Sequence, residues 1–127
     1  MASEIRVGTV RIELTTPGTD AYLEVIRAVV GRSARLAGFS FDGVEDLVLA
    51  ADEAAVLLLS TRPEALRLRI AGAHDGVEVL LHVRDPELRW PPEAMAEHTG
   101  WQVLHALCER VWIASPHPGI GLFQGLR

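Results

Sequence analysis

Two adjacent carboxylates, Asp52 and Glu53, lie in the run FDGVEDLVLAADEAAVLLLS between Phe41 and Ser60, where all their neighbours from Leu47 to Leu59 are apolar. Carboxylates accept protons and bind cations, so a pair of them in an apolar helix is a candidate site; the alternative is a solvated helix face. On a 3.6-residue period, Glu53 and Leu57 lie on the same face, one turn apart. A group bound by either residue would therefore lie close to the other.

The helix that carries these carboxylates is the second of two predicted helices. Val10 to Leu14 alternates apolar and charged residues, which predicts a half-buried strand that the Thr-Thr-Pro-Gly segment ends. The apolar period from Thr19 to about Ala37 predicts the first helix, with Gly38 as its C-cap. Ser40 or Asp42 is expected to begin the second helix.

The second half of the sequence predicts two hairpins on either side of a third helix. Thr99 and Gln102 form a capping-box pattern, which predicts a helix that runs from there to about Glu109. The predicted strands are Leu66 to Ile70, Val77 to Val83 after an Asp75-Gly76 turn, Trp112-Ile113, and Ile120 to Leu126. This order predicts an α+β fold, a two-layer sandwich in which three helices cover one face of a mostly antiparallel sheet.

Composition limits the classes of protein to which this chain can belong. Its 127 residues are 49% apolar and carry a formal net charge of −5, which predicts one folded domain over residues 1–127 and disfavours direct nucleic-acid binding. The absence of lysine excludes a P-loop and a lysine-dependent kinase of the eukaryotic type.

The cysteine, histidine and hydropathy patterns predict where the protein is located and whether it has disulfides or a metal site. Cys108 is the single cysteine, and the histidines lack metal-ligand spacing, so we expect no disulfide and no metal site. No secretory leader or membrane-length apolar run is apparent, which predicts a cytoplasmic protein without a membrane partner.

The run Glu53-Ala54-Ala55-Val56-Leu57 resembles the N box, Glu-Ala-x-x-Asn, of the GHKL or histidine-kinase-like ATPase superfamily. Within it, the chain is similar to the bacterial anti-sigma factor serine kinases. The resemblance implies that Glu53 is the general base, and that position 57 should hold the magnesium ion that bridges the ATP phosphates. Leu57 offers no oxygen to such a cation, and the chain contains no asparagine.

Two further boxes of this family are recognisable but altered. The family's Asp-x-Gly-x-Gly reads Asp85-Pro86-Glu87-Leu88-Arg89 here, so the Asp that would accept the adenine amino group remains while both glycines are replaced. Gly100 matches the last glycine of the phosphate-cradling box, whose preceding glycine is His98 here. The structural alternatives are a strand-ending turn at Asp85 and an ordinary helix start at Gly100.

Arg27 lies on the first predicted helix, 26 residues before Glu53. The resemblance implies that an arginine at this position docks the sigma factor and its competitor; the alternative is an exposed helix arginine. Its planar fork suits carboxylates and apolar surfaces, and Arg32 and Arg35 could extend the same patch.

The resemblance implies an anti-sigma factor that sequesters a stress or sporulation type sigma factor and is itself captured by an anti-anti-sigma factor. With the ATP boxes degraded, binding rather than catalysis is the expected activity, and no cofactor is expected. The family arrangement further implies a homodimer built on the first strand and helix.

Two other functions stay open. One is an active protein serine kinase that uses ATP and magnesium to phosphorylate the anti-anti-sigma partner. The other is a small-molecule sensor that reuses the remnant pocket, with His98 and Arg89 as polar anchors.

Overall fold

The structure is a computed structural model, and it describes residues 10–85 and 88–126. The elements follow the predicted order of one strand, two helices, two strands, one helix and two strands. Their bounds are β1 Arg11–Pro17, α1 Leu23–Ala37, α2 Phe41–Leu59, β2 Ala65–Gly72, β3 Gly76–Val83, α3 Thr99–Leu107, β4 Arg110–Ala114 and β5 Gly119–Gly125. Single 3₁₀ turns at Asp20–Tyr22 and Met95–Glu97 precede α1 and α3.

The five strands form one sheet in the order β1-β2-β3-β5-β4, and every neighbouring pair is antiparallel. β2 and β3 form the predicted hairpin at Asp75-Gly76, and β4 and β5 form the closing one. The two-layer α+β prediction is confirmed, because the three helices pack on one face of this sheet.

Strand alternation produces a core between the sheet and the helices. Every second residue of β2, β3 and β5 points towards the helices and is buried, while the residues between them point to the opposite face. The largest buried apolar side chains come from both layers: Ile26, Val30, Leu47, Leu58, Leu66, Ile70, Val77, Leu81, Leu104, Ile120 and Leu122.

The predicted helix caps agree with the structure only in part. Gly38 has a left-handed φ of 100° and caps α1 as predicted. Ser40 begins α2, because its side-chain oxygen accepts a hydrogen bond from the Gly43 amide at 3.2 Å. The capping box predicted at Thr99 is wrong, because the side chain of His98 caps α3 instead.

Three predicted boundaries also differ from the structure. α1 begins at Leu23, after a 3₁₀ turn, rather than at Thr19, and α3 ends at Leu107. β1 continues to Pro17, opposite Ala65, through residues expected to end it. Proline is compatible with the end of an edge strand because its missing N–H costs no ladder hydrogen bond there.

In the stretches 10–85 and 88–126, no helix combines the length and the hydropathy that a membrane span requires.

Candidate functional site

The beginning of α3 lies against the carboxylate-bearing face of α2. A Cβ added to Gly100 would overlap Oε1 of Glu53 and would lie 3.2 Å from Cδ2 of Leu57. Glycine at position 100 therefore allows the two helices to approach closely. The structure brings together three of the residues singled out in the sequence, Glu53, Leu57 and Gly100.

Two amide groups in the first turn of α3 are already engaged. Nδ1 of His98 accepts a hydrogen bond from the Gly100 N–H at 3.1 Å, and the His98 carbonyl accepts one from the Gln102 N–H at 3.1 Å. Free N–H groups and a helix dipole make a helix N-terminus attractive to anions. Here the carboxylate of Glu53 lies beside that N-terminus and supplies the negative charge from within the chain.

Leu57 stands where the resemblance places a magnesium ligand. Its side chain is 6% exposed, and the neighbouring Ala54 and Leu58 are completely buried. Magnesium requires oxygen ligands in near-octahedral geometry, and a leucine in this environment supplies none. The described residues contain no cluster of three or more His, Cys, Asp or Glu side chains arranged for a metal ion.

A magnesium-bound triphosphate does not fit these residues. The Gly100 N–H that would donate a hydrogen bond to a phosphate oxygen already donates one to Nδ1 of His98. Leu57 then leaves the metal without its protein ligand.

Asp85 lies apart from the α2–α3 contact. Its carbonyl accepts a hydrogen bond from the Leu88 amide at 3.2 Å, which closes a turn after β3. The half-buried Asp85 borders a cavity of about 320 Å³ together with Arg84 and the turn between β4 and β5, and Glu53, Leu57 and Gly100 do not line it. Glu87, the replacement for the first family glycine, lies outside the described residues.

Arg27 links the two long helices. Its Nη1 lies 2.8 Å from Oδ1 of Asp52, and the two side chains are 41% and 27% exposed. The adjacent carboxylates of α2 therefore differ in role, because Asp52 pairs with α1 while Glu53 contacts α3. The sequence singled out both acids but did not predict the partner of either.

Apolar side chains remain exposed around this ion pair. Leu49 and Val56 are 57% and 44% exposed, and at three and four residues from Asp52 they lie on its face of α2. We call Arg27, Asp52 and these two apolar residues the helical patch.

Two histidines have roles that the sequence analysis missed. His98 is a helix cap rather than a free pocket anchor, which removes one anchor of the predicted sensor site. His82 lies near the end of β3, inside the predicted strand, and its ring stacks with that of His117 at a centroid separation of 5.7 Å. The sequence placed His82 in a strand but did not predict the ring contact, which joins segments distant in sequence.

Comparison with known proteins gives structural neighbours only. No protein-family model and no curated protein matches this chain. The chain is similar to the crystal structure of the RsbU and RsbW domains of Rv1364c from Mycobacterium tuberculosis, with a TM-score of 0.66 and 16% sequence identity. The alignment covers 93% of this chain and 33% of that one, so this chain spans about a third of its neighbour's length. The α+β sandwich described above is the histidine-kinase-like ATPase fold of that neighbour.

Proposed function

We propose that this protein is an anti-sigma type regulator that works by binding protein partners and not by transferring phosphate. The fold supports the regulatory class, because RsbW is an anti-sigma and GHKL-type kinase. The single observation that supports binding over catalysis is the buried Leu57 beside Glu53 and Gly100, where a kinase needs a metal ligand. Phosphoryl transfer depends on metal-borne charge stabilisation, so this loss removes its largest contribution.

The helical patch is the surface that we assign to the sigma factor. Arginine at the centre with exposed apolar residues around it is the composition typical of binding hot spots. A carboxylate of the partner would bind the Arg27 guanidinium in place of Asp52. An ion pair with the partner would then replace the ion pair within the chain. Because the Arg27–Asp52 pair is partly exposed, breaking it costs little.

The same surface accounts for regulation by an anti-anti-sigma factor. Two partners that need Arg27 cannot bind at once, so the better competitor releases the other. A homodimer is a further part of the proposal, and β1 supports it because this strand lies at one edge of the sheet.

Calorimetry with purified sigma factors of the stress and sporulation type, with and without ATP and magnesium, tests the proposal. We expect one sigma factor to bind with an affinity that ATP and magnesium leave unchanged. Failure of every such sigma factor to bind would contradict the proposal. Saturable ATP binding together with label transfer to a serine of the anti-anti-sigma partner would establish the kinase instead.

A further inference from the structure

The face of the sheet that points away from the helices carries a cationic cavity. Strand alternation brings side chains of β1, β2 and β3 to this face, and the turn between β4 and β5 lies beside them. The cavity has a volume of about 310 Å³. We call it the open-face cavity, and its polar lining is Glu13, Thr15, Arg67, Arg69, His82 and His117.

Three of these residues form a row across the strands. Thr15 lies directly opposite Arg67, and Arg67 lies directly opposite His82. Side chains that face each other across antiparallel strands begin about 5 Å apart, so their polar ends can reach a common ligand. Arg69 is two residues from Arg67 and therefore points to the same side of the sheet.

Positive charge in the cavity is only loosely compensated. Nε of Arg69 lies 3.7 Å from Oε1 of Glu13, but these side chains are 53% and 75% exposed, so the pair is weak and exchangeable. Among the described residues, no carboxylate forms an ion pair with Arg67. The chain as a whole is acidic, so this local cationic character does not follow from its net charge.

His82 has a hydrogen-bonding atom that the fold leaves unused. Its Nδ1 is buried and forms no hydrogen bond with the part of the chain that the structure describes. Buried polar atoms without partners are few in folded proteins, and they often mark a place where a bound group belongs. His82 is one of the residues that line the cavity, so its imidazole is part of the site.

We propose that the open-face cavity binds the phosphate or sulfate group of a small molecule. Guanidinium groups donate two parallel hydrogen bonds to such oxyanions, and the Thr15 hydroxyl and an imidazole N–H are suitable additional donors. The volume is at the lower end of ligand sites, which fits a small ester. Because the cavity lies on the face opposite the helical patch, this inference is independent of the proposed sigma factor binding.

Binding at this site depends on pH in a defined direction. Burial lowers the pKa of His82, and the charges of His117, Arg67 and Arg69 lower it further. A bound anion opposes these effects and favours the protonated ring, while Glu13 is the one lining acid that competes with it. Affinity for a fixed anion should therefore increase as the pH falls, because protonation of His82 and anion binding favour each other.

Inorganic sulfate is the test ligand, since its charge stays constant over the relevant pH range. Two-dimensional NMR of the histidine rings, at constant ionic strength, should show saturable shifts for His82 and His117. We expect tighter binding at about pH 6 than at about pH 8. Arg67→Gln should weaken binding at least about tenfold, because it removes the unpaired guanidinium.

Arg110→Gln is the matched control. Arg110 lies on the same face of the sheet, but its guanidinium stacks 4.3 Å above the Phe123 ring, away from the cavity. The sulfate affinity of Arg110→Gln should lie within about twofold of that of the unchanged protein. Equal losses in both variants, or shifts that never saturate, would overturn the proposal in favour of general charge screening. His82→Gln should reduce the pH dependence, because only His117 then remains as a lining histidine, and a pH dependence equal to that of the unchanged protein would also overturn the proposal.

The test is separate from that of the proposed function. Sulfate binding is measured on the full chain alone, whereas sigma factor binding is measured with a partner. Arg67→Gln should leave sigma factor affinity unchanged, and Arg27→Ala should leave sulfate affinity unchanged. Loss of sulfate binding in Arg27→Ala, whose helix lies on the other face, would contradict the assignment to this cavity.

Discussion

Replacing Leu57 with asparagine introduces the residue type that the GHKL ATPases use to hold magnesium, but in this structure it should cost stability without producing ATP binding. The Leu57 side chain is 6% exposed and faces the start of α3. Removing a buried leucine loses about 1.5–3 kcal/mol of apolar burial. An amide without partners in this apolar environment adds about 1–3 kcal/mol. Partial access to water offsets some of this, so we expect Leu57→Asn to lower the free energy of unfolding by about 3 kcal/mol.

Urea denaturation, monitored by circular dichroism, measures this loss directly. Leu57→Met is the control, since a swap of similar volume should cost less than about 1.5 kcal/mol. Calorimetry should detect no ATP binding in either variant, because Glu87 and Arg89 still replace the two family glycines and the His98 cap remains at the α3 N-terminus. A Leu57→Asn protein that loses less than about 1 kcal/mol and binds ATP only with magnesium would refute the reasoning.

Three further predictions concern other parts of the molecule. Arg27→Ala should weaken sigma factor binding, measured by calorimetry, at least about tenfold, whereas Asp52→Ala should not weaken it. Both variants should change the free energy of unfolding by less than about 1 kcal/mol, because the ion pair between these residues is partly exposed. A Cβ on Gly121 would overlap the Trp112 indole, so Gly121→Ala should cost about 1–3 kcal/mol and shift tryptophan fluorescence to longer wavelength. Burial lowers the pKa of His82, so the imidazole binds a proton more readily in the unfolded chain than in the folded one. The free energy of unfolding should therefore decline as the pH falls through about 6.5. His82→Gln should reduce this dependence on pH, as measured by urea denaturation at several pH values.

The order of elements was predictable because local patterns determine it. Alternation in β2 and β3, the Asp75-Gly76 turn between them and the glycine after α1 each act over a few residues. The boundaries of elements that depend on tertiary contacts could not be predicted from the sequence. β1 continues to Pro17 because β2 lies beside it, and α3 begins with a histidine cap that competes with the local capping box.

The candidate site was predictable in its members but not in its contacts. Helical spacing correctly put Glu53 and Leu57 on one face, and the family pattern selected Gly100 from a distant segment. The sequence contains no sign that Asp52 pairs with Arg27, because that contact depends on how α1 and α2 pack. The open-face cavity was missed altogether, since its residues come from three strands and a turn.

The directions of the side chains on α2 show how the proposed partner binding can be independent of nucleotide chemistry. Glu53 and Leu57 point towards α3, whereas Asp52, on the same turn of α2, points to α1 and the helical patch. Under the proposed function, an apolar residue at position 57 packs between α2 and α3 and does not touch the outer face of α2, where Asp52 pairs with Arg27. The proposed partner surface and the position that the resemblance gives to a metal ligand therefore lie in different directions from one helix.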